Sequence, residues 1–77
     1  MLIIDSFGKN VIRRGEIIGY ISANAILISG RKFADLSDRG VISMNGKEVG
    51  YVDDDGVIVI NEKEAGYIDA QNNFVFY

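Results

Sequence analysis

The stretch VGYVDDDGVIVINEKEAGYID, residues 49–69, decides the fold because it contains one five-residue pattern twice. VGYVD (49–53) is followed sixteen residues later by AGYID (65–69). Self-similarity at a fixed interval is the sequence signature of a protein built from repeated structural units. We therefore expect the chain to consist of several copies of one short motif.

Aligning the turn residues extends the repeat to four units with a period of 15 to 16 residues. The units are 11–22, 26–37, 42–53 and 58–69. Within each unit β-branched residues alternate with polar ones, and no apolar spacing of three and four persists over the roughly dozen positions that a helix needs. The sequence predicts an all-β chain of four short antiparallel hairpins.

Each hairpin is expected to reverse at a two-residue turn. The four turns are Arg14-Gly15, Ser29-Gly30, Asn45-Gly46 and Asn61-Glu62. Asn-Gly supplies the positive φ values of a type I′ turn, whose twist matches that of the flanking strands. A turn of this kind also fixes which residues of the two strands lie opposite each other.

In the third hairpin this register places Ile42 opposite Val49 and Gly40 opposite Tyr51 on the apolar face. The tyrosines at this position of the repeat are then expected to face the core, because recurrence at equivalent sites favours packing over ligand stacking. The three tyrosines concerned are Tyr20, Tyr51 and Tyr67.

A second kind of turn joins successive hairpins. The connecting segments are SANA (22–25), SDRG (37–40), DDDG (53–56) and DAQNN (69–73). Asp or Ser at the first position can cap the turn through its side chain, and Gly or Asn near the end accepts a left-handed backbone. We read the acidic run of DDDG as a solvated turn rather than a calcium site, because three adjacent Asp residues do not supply the spaced oxygen ligands of a calcium loop.

The two ends of the chain are expected to close the array. Residues 2–5 and 74–77 are the predicted terminal strands, and their pairing would complete a ring around a pseudo-four-fold axis and remove exposed strand edges. A small residue precedes the tyrosine position in every unit, where neighbouring backbones would come closest. These small residues are Gly19, Ala34, Gly50 and Gly66.

Composition narrows the classes of function. The net charge is −3, with the basic residues scattered, so we expect neither a nucleic-acid partner nor a membrane partner. The chain has no histidine and no cysteine, which removes the usual metal ligands and the usual nucleophile and base. We expect no cofactor and no catalytic residue, and the lack of cysteine favours the cytoplasm.

Two segments of the repeat resemble the sequences of a known protein family. GKEVGYVDDDGVI (46–58) and EKEAGYIDAQNNFV (62–75) resemble the 4-fold beta flower proteins, in which short hairpins radiate from a pseudo-four-fold axis. The likeness covers nearly the whole chain and implies a fold without an activity. The motif is also similar to that of the WG-repeat family of bacterial proteins, but Val49 and Ala65 stand where a Trp would be, and no Pro follows.

Two candidate sites emerge. Asp35 occupies the position that holds tyrosine in the other units, so the missing ring could leave a small ligand pocket walled by Asp35, Tyr20, Tyr51 and Tyr67, or the unit could simply have degenerated. The second candidate is an apolar partner surface on the opposite face of the hairpins. Its residues are Ile12, Ile17, Leu27 and Val59.

These features favour a structural or protein-interaction module without catalytic activity, which would bind another protein or form a homo-oligomer. The alternative is a small-ligand or carbohydrate-binding domain that uses the pocket near Asp35.

Overall fold

The computed structural model describes residues 9–22 and 24–77, and these form an all-β protein. Nine strands follow one another in chain order around a small closed barrel. They are β1 (Lys9–Arg13), β2 (Glu16–Ser22), β3 (Ala25–Ile28), β4 (Arg31–Leu36), β5 (Val41–Met44), β6 (Lys47–Val52), β7 (Val57–Ile60), β8 (Lys63–Ile68) and β9 (Phe74–Phe76). The pairs β1–β2, β3–β4, β5–β6 and β7–β8 are the four predicted hairpins, so the predicted fold class is confirmed.

The barrel is closed, as predicted, and the closing pair is β9 with β1. Strand β9 lies between β8 and β1, antiparallel to the first and parallel to the second, with Val11 opposite Phe74. Strands that alternate in direction leave the first and ninth pointing the same way, so an odd number of strands requires one parallel pair. The predicted strand at 2–5 lies outside the described residues, and β1 is the strand that closes the ring.

The two kinds of turn have the predicted chemistry. Both residues of every hairpin turn have positive φ, between 52° and 80°, as a type I′ turn requires. In the loop after β6 the Asp53 Oδ1 accepts the N–H groups of Asp55 and Val57, both at 2.9 Å. Asp69 Oδ1 and Ser37 Oγ accept the equivalent bonds in their own loops at 2.8 to 3.2 Å. The acidic run is therefore a capped turn.

Every hairpin carries one extra residue on its second strand, which the sequence did not reveal. In the third hairpin Ser43 lies opposite Glu48, but Ile42 lies opposite Gly50, so Val49 has no partner of its own. The prediction that Ile42 faces Val49 is wrong, because a turn fixes the register only as far as the first β-bulge. The equivalent bulges are at Ile18, Phe33 and Ala65.

The bulge reverses the predicted orientation of the tyrosines. Tyr51 lies opposite Val41 rather than Gly40, and a shift of one residue moves a side chain to the other face of the sheet. The tyrosines are 43 to 47% exposed, so the prediction that they pack in the core is wrong. The small residue before each tyrosine takes the inward position instead.

The core is built from one residue of each odd-numbered strand and four residues of the even-numbered ones. Burial of each of the larger apolar side chains contributes about 1.5 to 3 kcal/mol. The first group is Val11, Ile26, Ile42, Ile58 and Phe74, and the second is Ile21, Ala34, Leu36 and Val52. Since the first five recur every 15 to 16 residues, the repeat in the sequence is a repeat of core positions.

We call the junction between the second strand of one hairpin and the first strand of the next a seam. At three seams a glycine faces inward, and a Cβ placed on Gly19, Gly50 or Gly66 would overlap the carbonyl oxygen of the neighbouring strand. The predicted close approach of backbones at these positions is confirmed. The fourth position holds Ala34, whose side chain is 2% exposed.

Candidate functional site

The turn ends of the hairpins surround an open end of the barrel that holds a mainly apolar cavity of about 420 Å³. We call it the mouth cavity. Ligand pockets in proteins have volumes of about 300 to 1,000 Å³ and are lined mostly by apolar groups. The apolar residues that line it are Ile18, Ile28, Phe33, Ile60, Ala65 and Phe76.

The β-bulges explain why the mouth cavity is apolar. Ile18, Phe33 and Ala65 are three of the four bulge residues, and all three line the cavity. Ile28 and Ile60 lie two residues beyond the core residues of their strands, so the period of two along a strand directs them to the same side. Three of the four hairpins, together with β9, thus contribute apolar side chains to the open end as well as to the core.

Three polar residues form part of the rim of the mouth cavity. The Nε of Arg13 donates a hydrogen bond to the carbonyl oxygen of Tyr77 at 3.1 Å, and the Tyr77 hydroxyl donates to the Glu64 carboxylate. This bond to Glu64 raises the pKa of the Tyr77 hydroxyl, so the hydroxyl remains a donor at neutral pH. The rim therefore presents a cation and an anion beside an apolar interior.

The seam between β4 and β5 is the least complete of the four. Its pairing consists of Asp35 with Ser43 and Leu36 with Ile42, and it ends there. The β6–β7 seam has a further pair, Gly50 with Ile60, and then a bond from Asn61 N–H to the Val49 carbonyl at 2.8 Å.

In β4 the residue equivalent to Gly50 of β6 is Ala34. Within the described residues the bond that would correspond, from Asn45 N–H to the carbonyl of Phe33, is not formed. A methyl group at the Gly50 position would overlap the carbonyl of the next strand, and Ala34 carries a methyl group where the corresponding bond is missing. The regular pairing of β4 and β5 stops at Asp35 and Ser43.

A depression of about 340 Å³, which we call the notch, lies between residues 32–35 and 44–46, and the equivalent residues of the β6–β7 seam line a depression of about 520 Å³. Phe33 lines both the notch and the mouth cavity, so the two adjoin at this side chain. Phe33 and Met44 are 38% and 37% exposed. The notch therefore offers apolar surface beside a seam that has one residue pair and one backbone bond fewer than the β6–β7 seam.

Asp35 lies on the outer face of the barrel, in the wall of the notch. Its Oδ1 receives a hydrogen bond from the Lys32 Nζ at 3.0 Å, and its side chain is 49% exposed. A depression beside Asp35 is thus present, and a depression of the same kind lies beside Tyr51 at the next seam. Binding of a ligand there stays a prediction.

The structure does not bring the three tyrosines to Asp35. Tyr20, Tyr51 and Tyr67 lie on three different hairpins, and Tyr51 lines a separate depression with Glu48 and Glu62. Tyr67 packs against the ring of Tyr77 instead, with the ring centroids 6.1 Å apart. A single pocket formed by all four residues has no support in this arrangement.

The residues of the predicted partner surface lie on the outer face of the barrel. Ile12 and Ile17 are paired across the first hairpin, and Ile17 is 66% exposed. Leu27 and Val59 lie opposite Tyr20 and Tyr51 across two different seams. The four residues therefore occupy three hairpins rather than one compact patch, and their contact with a partner stays a prediction.

Sequence reasoning missed the residues of the mouth cavity. The signal was present, since an apolar residue directly precedes the small residue in every unit, as in Ile18-Gly19 and Phe33-Ala34. A strict alternation of faces assigns one of these two neighbours to the outside. Only a β-bulge directs both the apolar residue and the small residue after it to the interior, and the turn sequence does not predict a bulge.

Comparison with known proteins finds no relative. No family model, no curated protein and no solved structure matches this chain. The resemblance to the beta flower proteins therefore stays a prediction. Within residues 9–22 and 24–77 no three acidic side chains group as metal ligands would, and no helix there has the length and apolar character to cross a membrane.

Proposed function

We propose that this protein is a non-catalytic protein-interaction module whose mouth cavity receives an apolar side chain of a partner protein. The observation that carries the proposal is the mouth cavity itself, an apolar space of about 420 Å³ at the open end of a barrel whose core is closed below it. A cavity of this size is large enough for one aromatic or branched aliphatic side chain.

The surroundings of the cavity support a protein partner. The side chains that dominate binding energy at protein interfaces fill well-packed apolar pockets, and a polar rim that excludes water surrounds them. Here Arg13 and Glu64 stand at the rim of the apolar space. Both already bond to Tyr77, and a guanidinium and a carboxylate have further N–H groups and lone pairs that can bond to the amide groups flanking an inserted side chain.

N-acetyl-tryptophanamide tests the proposal, because it carries a large apolar side chain between two peptide groups. We expect it to shift the NMR signals of Ile18, Ile60 and Phe76, and we expect N-acetyl-serinamide at the same concentration to leave them unchanged. The variant Ala65→Phe places a ring inside the cavity and should weaken binding at least about tenfold, which corresponds to about 1.4 kcal/mol.

The matched control is Ile17→Ser, which removes an apolar side chain from the outer face without touching the cavity. It should bind the tryptophan derivative as the unmodified protein does. Equal binding by the Ala65→Phe variant, once its folding is confirmed by its NMR spectrum, would contradict the proposal. Binding lost only in Ile17→Ser would move the site to the outer face.

A further inference from the structure

We propose that the apolar residue entering the mouth cavity is flanked, in the partner protein, by an acidic residue whose carboxylate binds to Arg13 and Arg14. The inference rests on the function proposed for the mouth cavity and adds the chemistry that selects the partner. The site for the carboxylate is a depression of about 280 Å³ lined by Arg13, Arg14, Glu16 and Ile18, which we call the arginine depression.

The arginine depression adjoins the mouth cavity. Arg13 and Ile18 line both, so one ligand can occupy the two spaces at once. Consecutive Cα atoms of a peptide are about 3.8 Å apart. The residue next to an inserted apolar side chain therefore lies at the rim, and its own side chain can extend into the arginine depression.

The guanidinium of Arg13 is held at the rim with most of its donors unused. Its Nε bonds to the carbonyl oxygen of Tyr77 at 3.1 Å, which restrains the orientation of the group. Its two NH₂ groups form no hydrogen bond to any other described residue. Arginine binds a carboxylate through two parallel N–H···O bonds, and a guanidinium that is already oriented loses less freedom when it does so.

The two cations of the arginine depression lack an anionic partner. Within the part of the chain that the structure describes, neither Arg13 nor Arg14 forms a salt bridge, although Glu16 lies opposite Arg13 in the first hairpin. Two guanidinium groups against one carboxylate leave an excess of positive charge, which attracts an anion. Glu64, which also lines the mouth cavity, accepts the hydroxyl of Tyr77.

The notch does not select charge in this way. It also shares a lining residue with the mouth cavity, Phe33, but its one cation, Lys32, is paired with Asp35 at 3.0 Å. The favourable neighbour of the inserted residue is therefore an acidic side chain directed toward the first hairpin. At about 280 Å³ the arginine depression has room for the whole side chain of a glutamate, which is more than a chain-end carboxylate would fill.

Three peptides of the same length that differ at the residues flanking tryptophan test the inference. They are acetyl-Glu-Trp-Glu-amide, acetyl-Gln-Trp-Gln-amide and acetyl-Lys-Trp-Lys-amide, and the same residue on both sides serves either direction of the peptide. NMR titration gives each affinity from the signals of Ile60 and Phe76. We expect the Glu peptide to bind about fivefold more tightly than the Gln peptide, as an exposed ion pair allows, and the Lys peptide to bind most weakly. Added salt should reduce the advantage of the Glu peptide.

Variants of the protein locate the carboxylate. Arg14→Gln removes one cation from an exposed turn position, so the ratio of the affinities of the Glu and Gln peptides should fall to about twofold or less, whereas Arg14→Lys should preserve most of it. Arg39→Gln removes the same charge from the loop between β4 and β5 at the closed end and should leave the ratio unchanged. Each ratio compares two peptides on one protein, so any change in the mouth cavity itself cancels.

The outcomes separate this inference from the proposed function. Equal affinities of the Glu and Gln peptides, tightest binding of the Lys peptide, or an unchanged ratio in Arg14→Gln would each overturn the inference and leave the mouth cavity in place. N-acetyl-tryptophan carries its carboxylate on the tryptophan itself. If it gains as much over N-acetyl-tryptophanamide as the Glu peptide gains over the Gln peptide, the site binds a chain-end carboxylate and the acidic neighbour is wrong. If neither the peptides nor N-acetyl-tryptophanamide shifts the signals of the cavity residues, the proposed function fails and the inference fails with it.

Discussion

The β6–β7 and β4–β5 seams join equivalent strands of the repeat, and where β6 has Gly50 the strand β4 has Ala34. At the β6–β7 seam Gly50 lies opposite Ile60, and Asn61 then bonds to Val49. At the β4–β5 seam the last pair toward the mouth is Asp35 with Ser43, so Ala34 has no partner in β5. Both seams have a buried pair near the closed end, Leu36 with Ile42 and Val52 with Ile58. The shorter pairing is found at the seam that carries the methyl group of Ala34.

The comparison also shows where tolerance for sequence change lies in this barrel. The Ala34 seam retains two pairs near the closed end, and Leu36 and Ile42 in that region are 0 to 1% exposed. The shorter pairing near the mouth thus leaves the core intact. A repeat protein can vary at its open end because stability is concentrated at the other.

Gly50→Ala gives the largest expected effect. The new Cβ would overlap the Val59 carbonyl, so β6 and β7 must separate and the bond from Asn61 to Val49 is lost. Overpacking costs about 1 to 3 kcal/mol and a hydrogen bond about 1, so we expect a loss of about 3 kcal/mol in the free energy of unfolding. Urea denaturation measures it.

The matched control is Ala34→Gly at the other seam. This variant should gain one hydrogen bond, which stabilises the fold by about 1 kcal/mol. It loses a buried methyl group and makes the unfolded chain more flexible, and each of these changes destabilises the fold by about 1 kcal/mol. The free energy of unfolding should therefore change by no more than about 1 kcal/mol. Similar losses in both variants would show that the glycine is not what distinguishes the seams.

Glu62→Gly should produce a smaller effect, of opposite sign. The β4–β5 seam borders the favourable turn Asn45-Gly46, but the β6–β7 seam borders Asn61-Glu62, where Glu62 has a φ of 68°. A left-handed conformation costs a residue with a side chain about 1 to 2 kcal/mol, and glycine lacks most of this cost. We expect a gain of about 1 kcal/mol in the free energy of unfolding.

A Glu62→Gln variant keeps the strained backbone and removes only the charge, so it should match the unmodified protein in thermal and urea unfolding. If Glu62→Gln stabilises the protein as much as Glu62→Gly does, charge rather than backbone strain is the cause.

Acid should affect the connecting loops unequally, and this is the smallest effect we expect. The N–H groups of Asn73 and Gln71 and the Asn73 side chain lower the pKa of the exposed Asp69 carboxyl. A carboxyl whose pKa is lower in the folded state than its unfolded value of about 3.9 stabilises the fold above that value. That stabilisation is lost as the pH falls through the folded pKa. The β4–β5 loop, capped by the hydroxyl of Ser37, has no such dependence.

Urea unfolding at pH 5 and pH 2.5 tests this difference. The loss on acidification should be smaller in Asp69→Ser than in the unmodified protein, and larger in Ser37→Asp. Other carboxyl groups contribute equally to all three proteins and cancel. The same acid-induced loss in all three would contradict a role for the Asp69 cap.

Some predictions from the sequence were right because they concern interactions between near neighbours. Asn45-Gly46 forms its turn from its own backbone preferences, and Asp53 caps its loop through groups two and four residues away. The prediction for the tyrosines failed because the face of a strand residue depends on counting from the turn. The bulge at Val49, which the sequence did not predict, reverses the assignment of faces for every residue of β6 after it.

The candidate sites were harder to anticipate than the fold. Asp35 drew attention because it replaces a tyrosine, yet the neighbouring replacement of glycine by Ala34 is the place where the strand pairing stops short. The sequence shows both replacements equally well. Their effects differ because the side chain of residue 35 extends into solvent, where a change of shape costs little, whereas that of residue 34 faces the backbone of another strand.

The sequence by itself determined the all-β repeat, the hairpin turns and the loop caps, since each depends on torsion angles and hydrogen bonds within a few residues. The tertiary structure alone decided the parallel closure of β1 on β9, the outward tyrosines, the mouth cavity and the shorter pairing of the β4–β5 seam. These features depend on how strands from different hairpins fit against one another. Steric contact between neighbouring strands sets that fit, and a single Cβ atom is enough to change it.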